Sequence, residues 1–449
     1  MADLKQIARR IFQQTLAAID IRAAMRRKLQ RAGPLLYCGR GRGSSLADLH
    51  AFDLGAFERV HAIAIGKGAH AMVEGLAAVL GPDRAFNGIV AAPTAPEIAL
   101  PAMRYFVAGH PLPNKQSWHA AEEILALLTG CDERTLVFFL LSGGGSALVE
   151  LPLDAQQTLE DLKQQYRALV TCGASIGEIG TVRRHVSAVK GGRLAVAAGR
   201  ATKITLAVSD VPAGQEAALA SGPTIPDPTT LEDAARVLRK YALEERLPAR
   251  LRHWIAEGKM PETPKPGDPA FANAHFSLLL GMDDLFHPAH HAAEACGYVT
   301  SCDNATDDWP LQKAADFLLA QLEDLREMYR GQRVALIADG EVSSPVTGDG
   351  IGGRNSAFVL ACVEKIAGRR IAVLSAGTDG IDGNSPGAGA VADAETLARA
   401  RALGLEPLDA FERSDAHTFF ERLGDAIVTG PTGTNLRDLR ILIAEPGKD

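Results

Sequence analysis

Apolar residues along this chain come in short blocks that end abruptly in small or charged residues. Residues 60–65, 135–141, 204–208, 333–338 and 371–374 are such blocks, closed by Gly66, Ser142, Ser209, Asp339 and Ser375. Each gives way to the apolar spacing of an amphipathic helix. Block, turn and helix in alternation predict β-turn-α units and therefore a parallel sheet. Leu136-Val-Phe-Phe-Leu-Leu141 is apolar throughout, as a strand covered on both faces must be. Open α/β sheets bind ligands beyond the carboxyl ends of their strands, so the polar clusters after these blocks are site candidates by position.

The pattern changes between residues 231 and 270 to charged helical sequence, ending in Met260-Pro-Glu-Thr-Pro-Lys-Pro-Gly-Asp-Pro269, whose four prolines exclude regular structure. A chain of 449 residues exceeds what one core organises, and this stretch suggests two domains, 1–240 and 241–449. The first thirty residues are amphipathic and carry Asp3 and Asp20, which reads as a helix and not as a signal or transit peptide.

Composition narrows the function. Acidic residues outnumber basic ones, 54 to 47, and no run of Lys or Arg supplies the footprint that nucleic acid demands. The most basic patch, Arg40 and Arg42 among Gly39, Gly41 and Gly43, is an anion loop or a solvated one. The six cysteines, at 38, 131, 172, 296, 302 and 362, show neither zinc-ligand nor disulfide spacing. No apolar run reaches the ~18 residues that span a bilayer. A cytoplasmic protein acting on a small molecule is expected, with homo-oligomerisation left open.

Two clusters follow the first blocks. In Ser142-Gly143-Gly144-Gly145-Ser146-Ala147, three glycines let backbone amides approach an anion, and an opening helix adds unpaired N–H groups. A nucleotide phosphate is the natural guest, since a tight turn alone needs one glycine. Gly66-Lys67-Gly68-Ala69-His70-Ala71 matches the G-x-G-x-x-A form of the dinucleotide fingerprint. That fingerprint wants an acid after the next strand to hold a ribose, and Gly88-Ile-Val-Ala-Ala92 ends without one. Lys67 instead offers a point charge for a phosphate, or is a surface lysine beside a helix cap. The P-loop pattern and the protein-kinase signatures are absent.

Further along, Thr181-Val-Arg183-Arg184-His185 and Lys190-Gly191-Gly192-Arg193 gather five basic or imidazole side chains in thirteen residues. Acids stand at three strand ends: Asp210, Asp339 with Glu341, and Asp379 with Asp382. Each either holds Mg²⁺ or caps a helix. Gly350-Ile-Gly-Gly-Arg354-Asn355 offers a guanidinium that can fork onto a carboxylate or phosphate. Thr429-Gly-Pro-Thr-Gly-Thr-Asn435 is dense in small donors, and His287, His290 and His291 cluster without a metalloprotease pattern.

Taken together these motifs resemble the glycerate 2-kinase family, the class II glycerate kinases, often labelled hydroxypyruvate reductases. The resemblance runs from about residue 60 to the C-terminus through Ile65-Gly-Lys-Gly, Gly109-His-Pro-Leu-Pro113, Leu141-Ser-Gly-Gly-Gly-Ser-Ala147 and Val182-Arg-Arg-His-Val-Ser187. It continues with Lys190-Gly-Gly, Ser209-Asp-Val-Pro212, Ala220-Ser-Gly-Pro-Thr224, Asp339-Gly-Glu-Val342, Gly352-Gly-Arg-Asn355, Ser375-Ala-Gly-Thr-Asp-Gly380 and the 429–435 loop.

The resemblance implies a Rossmann-like N-terminal domain, a smaller α/β C-terminal domain of the MOFRL type, and an active site in the interdomain cleft. It implies ATP and Mg²⁺ as cofactors, D-glycerate as acceptor, and 2-phospho-D-glycerate and ADP as products. The expected functional pair is Lys67 and Arg354. Ser142, Gly143, Gly144, Gly145, Ser146, Lys190 and Gly191 are assigned to the nucleotide. Arg183, His185, Asn355 and Asp379 are assigned to substrate, and Asp210 to the metal.

The chain departs from the family pattern at Ala213-Gly214-Gln215, where Gly-Asp-Asp is usual, at Gly180, where asparagine is usual, and near Gly281-Met-Asp283, which lacks Ser-Asn. Two alternatives follow. One is an NAD(P)H-dependent hydroxypyruvate reductase with His70, His110 or His185 as acid. The other is a nucleotide-binding relative without catalysis.

Overall fold

The computed structural model describes residues 3–39, 50–211 and 214–446. Arg40, Arg42, Gly41 and Gly43 of the basic patch, and Pro212 and Ala213, lie outside the described residues. The chain divides into two compact units, residues 21–280 and residues 1–20 with 281–449.

In the first unit a small antiparallel sheet of β1 (Leu29–Ala32), β2 (Leu35–Cys38) and β3 (His50–Asp53) precedes a larger one. The larger sheet is formed by β4 (Arg59–Ile65), β5 (Asn87–Ala92), β6 (Met103–Val107), β7 (Thr135–Leu141), β8 (Thr202–Val208) and β9 (Ala274–Leu280). All six run parallel, in the order β6-β5-β4-β7-β8-β9. Every residue of β7 is buried, which explains its unbroken apolar sequence. Ile63, Ile89, Val137 and Phe139 pack with Ala120 and Ile124 of the helix Lys115–Thr129 into one core. The chain moves outward from β4 to β6 and then returns to lay β7 on the other side of β4. This is the Rossmann arrangement, and the loops leaving β4 and β7 open the crevice where such sheets bind ligands.

The second unit carries a mixed sheet of β10 (Val299–Asp303), β11 (Val334–Asp339), β12 (Ile371–Gly377), β13 (Gly389–Asp393), β14 (Ala426–Ile427) and β15 (Asp438–Ala444). Their order is β10-β11-β15-β12-β13-β14. The last strand lies antiparallel between β11 and β12, pairing Asp339 with Leu439 and Gly377 with Asp438. The carboxyl ends of β11 and β12 therefore meet the start of β15. The helix Leu4–Ala18 buries Ile11 and Phe12 in this unit, with Lys5 Nζ 3.1 Å from Asp425.

The division differs from the boundary expected at 240/241. Residues 241–280 stay with the first unit because β9 extends its sheet beside β8. The proline stretch 261–269 is likewise built into the first unit. Glu262 lies 3.0 Å from His185 Nε2, and Thr263 is buried. The six cysteines are all free. Among the described residues no helix is long and apolar enough to cross a membrane.

Candidate active site

The two glycine-rich turns of the first unit interlock. The Lys67 amide donates to the Gly143 carbonyl at 3.0 Å, the Gly68 amide to Ser142 Oγ at 2.9 Å, and the Ser142 amide to the Ile65 carbonyl at 2.9 Å. Gly66 (φ +128°) must be glycine, because a Cβ there would collide with Ser142. The next four amides are different. Among the described residues no acceptor is in place for the N–H groups of Gly143, Gly144, Gly145 or Ser146. Gly144 adopts φ +83°, and a Cβ on it would stand 3.1 Å from the His110 ring and 3.6 Å from Lys67 Cγ. Those two side chains thus flank a row of unclaimed donors at the switch point, the arrangement that binds anions. The expected helix is a single turn, Gly145–Leu148, so the donors and not a helix dipole supply the attraction.

A buried polar network stands behind this loop. The Tyr166 hydroxyl is 2.6 Å from both the Ser146 carbonyl oxygen and Glu150 Oε2. Glu150 also lies 2.9 Å from Lys190 Nζ and accepts from Ser187 Oγ at 2.5 Å, while Lys190 donates to the Val149 carbonyl at 3.1 Å. Burial pulls the Lys190 ammonium down, against the opposing pull of Glu150. Burial also pushes the Tyr166 hydroxyl well above its ordinary range, and Glu150 adds to this. The Arg183 guanidinium lies over the Tyr166 ring at 4.3 Å. The Gly191 amide donates to the Ser221 carbonyl at 3.0 Å. His185 spends both ring nitrogens inside the protein, on the Thr181 carbonyl at 2.8 Å and on Glu262 at 3.0 Å. Lys190, Gly191, Arg183 and His185, assigned from sequence to ligands, are in these contacts partners of the protein itself. Glu150 and Tyr166 escaped the sequence reading, although a lone acid in the apolar run Ala147-Leu-Val-Glu-Leu151 was a usable signal. Asp210 follows β8 at the same sheet edge as the two turns.

In the second unit the meeting of three strand ends fixes Arg354. Its two terminal nitrogens fork onto Glu341 with both contacts at 2.7 Å, and Nε lies 2.5 Å from Asp438. Burial works against the Arg354 charge, but Asp438 and Glu341 outweigh it and hold the guanidinium above its ordinary value. Burial likewise opposes the Asp438 charge, and Arg354 more than offsets it, so the carboxyl sits below the usual range. Asp382 accepts from the Asn355 and Ser356 amides at 2.9 and 2.8 Å, which settles it as the cap of the helix Arg354–Val363. Asn355 Oδ1 accepts from Ser375 Oγ at 2.6 Å. Asp379 accepts from the Ile381 amide at 3.0 Å, and its carbonyl takes the Thr432 amide at 3.1 Å, which brings the 429–435 loop alongside.

Asp339 is fully buried, 3.1 Å from Arg437, and burial pushes its carboxyl up to about 6 against the pull of Arg437. His290 and His291 each lie 3.3 Å from Glu294, and among the described residues no three acids, histidines or cysteines form a metal-holding group.

Comparison with known proteins places these features. A family described as "Domain of unknown function (DUF4147)" matches residues 7–256, and the MOFRL family matches residues 334–438. A D-glycerate 2-kinase of Thermotoga maritima is 34% identical over 387 residues, covering 86% of this chain and 90% of the relative. A glycerate 2-kinase of Pyrococcus horikoshii is 33% identical, covering 86% and 87%. The chain belongs to the glycerate 2-kinase family. A relative from Agrobacterium vitis named "Putative hydroxypyruvate reductase" is 34% identical over 98% of this chain and 94% of its own. The solved structure of a glycerate kinase from T. maritima superposes with a TM-score of 0.79 at 31% identity, over 99% of this chain and 100% of that one. A solved P. horikoshii structure gives 0.75 at 30%, covering both chains completely. Within the glycerate 2-kinase family frame, the MOFRL match contains Arg354, Asp382 and Arg437, and ends on Asp438.

Proposed function

We propose that the chain transfers the γ-phosphoryl group of ATP to D-glycerate, giving 2-phospho-D-glycerate and ADP. The observation that carries this reading is the row of four unclaimed amides, Gly143 to Ser146, at the switch point between β4 and β7. Phosphoryl transfer asks a protein mostly for positioning and charge neutralisation. The amides take nucleotide phosphate oxygens, and Lys67 adds a positive charge beside them. Arg354, the expected partner of Lys67, is 35% exposed but is held through all three nitrogens by Glu341 and Asp438, so it engages a ligand oxygen only by exchanging one of those carboxylates.

Mg²⁺ sites of this chemistry use one or two carboxylates and leave the other positions to water and phosphate, so a single strand-end acid such as Asp210 fits. When bound, the ion neutralises charge on the phosphates. The names carried by the T. maritima and P. horikoshii relatives support glycerate as acceptor. A cytoplasmic setting suits six free thiols.

The G-x-G-x-x-A match at Gly66 and the name of the A. vitis relative favour a hydroxypyruvate reductase as the second reading. Two features weigh against it. The Lys67 and Gly68 amides that would hold a pyrophosphate are taken by Gly143 and Ser142, and β5 ends at Ala92 with no acid for a ribose.

An ADP-coupled assay with ATP, Mg²⁺ and D-glycerate tests the proposal, beside a parallel assay with NADH and hydroxypyruvate. The expected result is glycerate-dependent ADP and no NADH consumption. Nucleotide binding without turnover on any hydroxy acid would leave only the inactive relative.

A further inference from the structure

Apart from the glycine-rich turns, the first unit holds a cavity of about 650 Å³ between the helices Ile176–Val186 and Leu231–Lys240 and residues 214–218. Arg184 forms its polar wall. The side chain is 5% exposed, and Nε lies 2.8 Å from Asp227, which is wholly buried. The terminal nitrogens are held loosely. They reach Thr229 Oγ1 at 3.3 Å, Thr181 Oγ1 at 3.4 Å and the Ala217 carbonyl at 3.5 Å, all long for donors that carry a charge. Gly180 leaves them room, since a Cβ there would stand 3.1 Å from Arg184 Nη1.

Charge and surface define what would fit. Arg193 faces Asp227 and Glu262 and keeps Nη1 buried without a partner, and Lys265 lies 2.8 Å from Glu262. None of Arg193, Lys265, Asp227 and Glu262 lines the cavity, so inside the rim its charge is that of Arg184, offset from behind by Asp227. At the rim the charges balance, Lys240 with Glu178 at 2.7 Å and Arg236 with Asp233 at 2.9 Å. Ala217, Ala218, Pro228 and Val237 supply an apolar patch on a lining that also holds Ser175, Thr181, Gln215 and Thr229.

We propose that this cavity binds a small organic monocarboxylate, with its carboxylate on Arg184 and its hydrocarbon body against Pro228 and Val237, and that occupancy is relayed to the glycine-rich loop. The relay is the short helical segment Glu216–Ser221. Ala217 and Ala218 line the cavity at one end of it. At the other end Ser221 Oγ is 2.8 Å from Ser146 Oγ, and the Ala220 methyl would stand 2.7 Å from a Cβ on Gly145. Ala220 (φ +49°) and Ser221 (φ +61°) are both left-handed, a conformation that non-glycine residues hold only when contacts on both sides enforce it. A ligand that shifts Ala217 is therefore felt at Ser146. The site itself does not depend on the kinase reading, whereas the relay rests on nucleotide binding at the glycine-rich loop, as that reading has it.

Calorimetry on the full chain, without nucleotide, tests the site with butyrate as probe. Butyrate should bind saturably, and inorganic phosphate, with more charge than the cavity balances, at least tenfold more weakly. Val237→Trp, which fills the cavity and leaves its charges alone, should abolish binding. Arg184→Lys, which keeps Asp227 paired but loses the fork, should weaken it at least tenfold. Thermal unfolding of both variants confirms that they are folded. Butyrate should also change the affinity for ATP in the parent chain and not in Val237→Trp. Absence of saturable binding, or binding that survives Val237→Trp, overturns the site, as does tighter binding of phosphate. An ATP affinity indifferent to butyrate overturns the relay.

Discussion

The Ser142 hydroxyl oxygen accepts the Gly68 amide at 2.9 Å, a bond that ties together the two turns on either side of the sheet's switch point. It fixes where the first turn ends and where the unclaimed amides begin. Ser142→Ala removes it and leaves the Gly68 amide unsatisfied in a buried place. A loss of about 1–3 kcal/mol in stability is expected from an unpaired buried donor, read by urea unfolding. Ser142→Thr, which keeps the hydroxyl, should recover part of it.

Gly144 sits in the left-handed region beside His110. Gly144→Ala adds about 1 kcal/mol of backbone strain and pushes a methyl toward the ring. ATP affinity should fall at least tenfold with only a small change in thermal midpoint. Unchanged affinity would remove the amide row from the nucleotide site.

Lys190 and Glu150 form an ion pair 2.9 Å long in which both side chains are almost wholly buried. Removing one partner strands the other, so Glu150→Gln should cost about 3–5 kcal/mol. Replacing both, as Glu150→Gln with Lys190→Met, should cost less than Glu150→Gln alone. Additive losses in a double-mutant cycle would mean that the two groups stabilise the loop independently.

Asp339 titrates near pH 6 in the folded chain, above the usual carboxyl value of 3.8. A raised carboxyl binds its proton more tightly when folded. Its contribution to stability is present in full below pH 4 and is lost as pH rises through about 6. The difference approaches ~3 kcal/mol from a shift of about two units. Asp339→Asn cannot ionise, so its stability relative to the parent should rise between pH 4 and pH 7 and then level off. A constant difference across that range would contradict the assignment.

Much of the first unit was legible because strands buried on both faces announce themselves as apolar blocks, as 135–141 does at both of its ends. What the blocks could not announce was pairing between distant segments. The helix Leu4–Ala18 joins the second unit through contacts such as Lys5 with Asp425, and β15 inserts between β11 and β12. Neither is encoded in local periodicity. The strand β9 was missed for a related reason: the prolines before it read as a boundary, whereas hydrogen bonding to β8 keeps it in the first sheet. At the site, residue type located the clusters but not the direction of each side chain. Lys190 and His185 had the right chemistry for an anion, yet Glu150 and Glu262 claim them.

The most direct measurement is the identity of the product. The chain incubated with ATP, Mg²⁺ and D-glycerate should yield one new phosphomonoester in the ³¹P spectrum. It should be coupled to the proton on C2 and should appear in step with ADP. A phosphomonoester on C3, or ATP consumed with no phosphorylated glycerate at all, would contradict a glycerate 2-kinase.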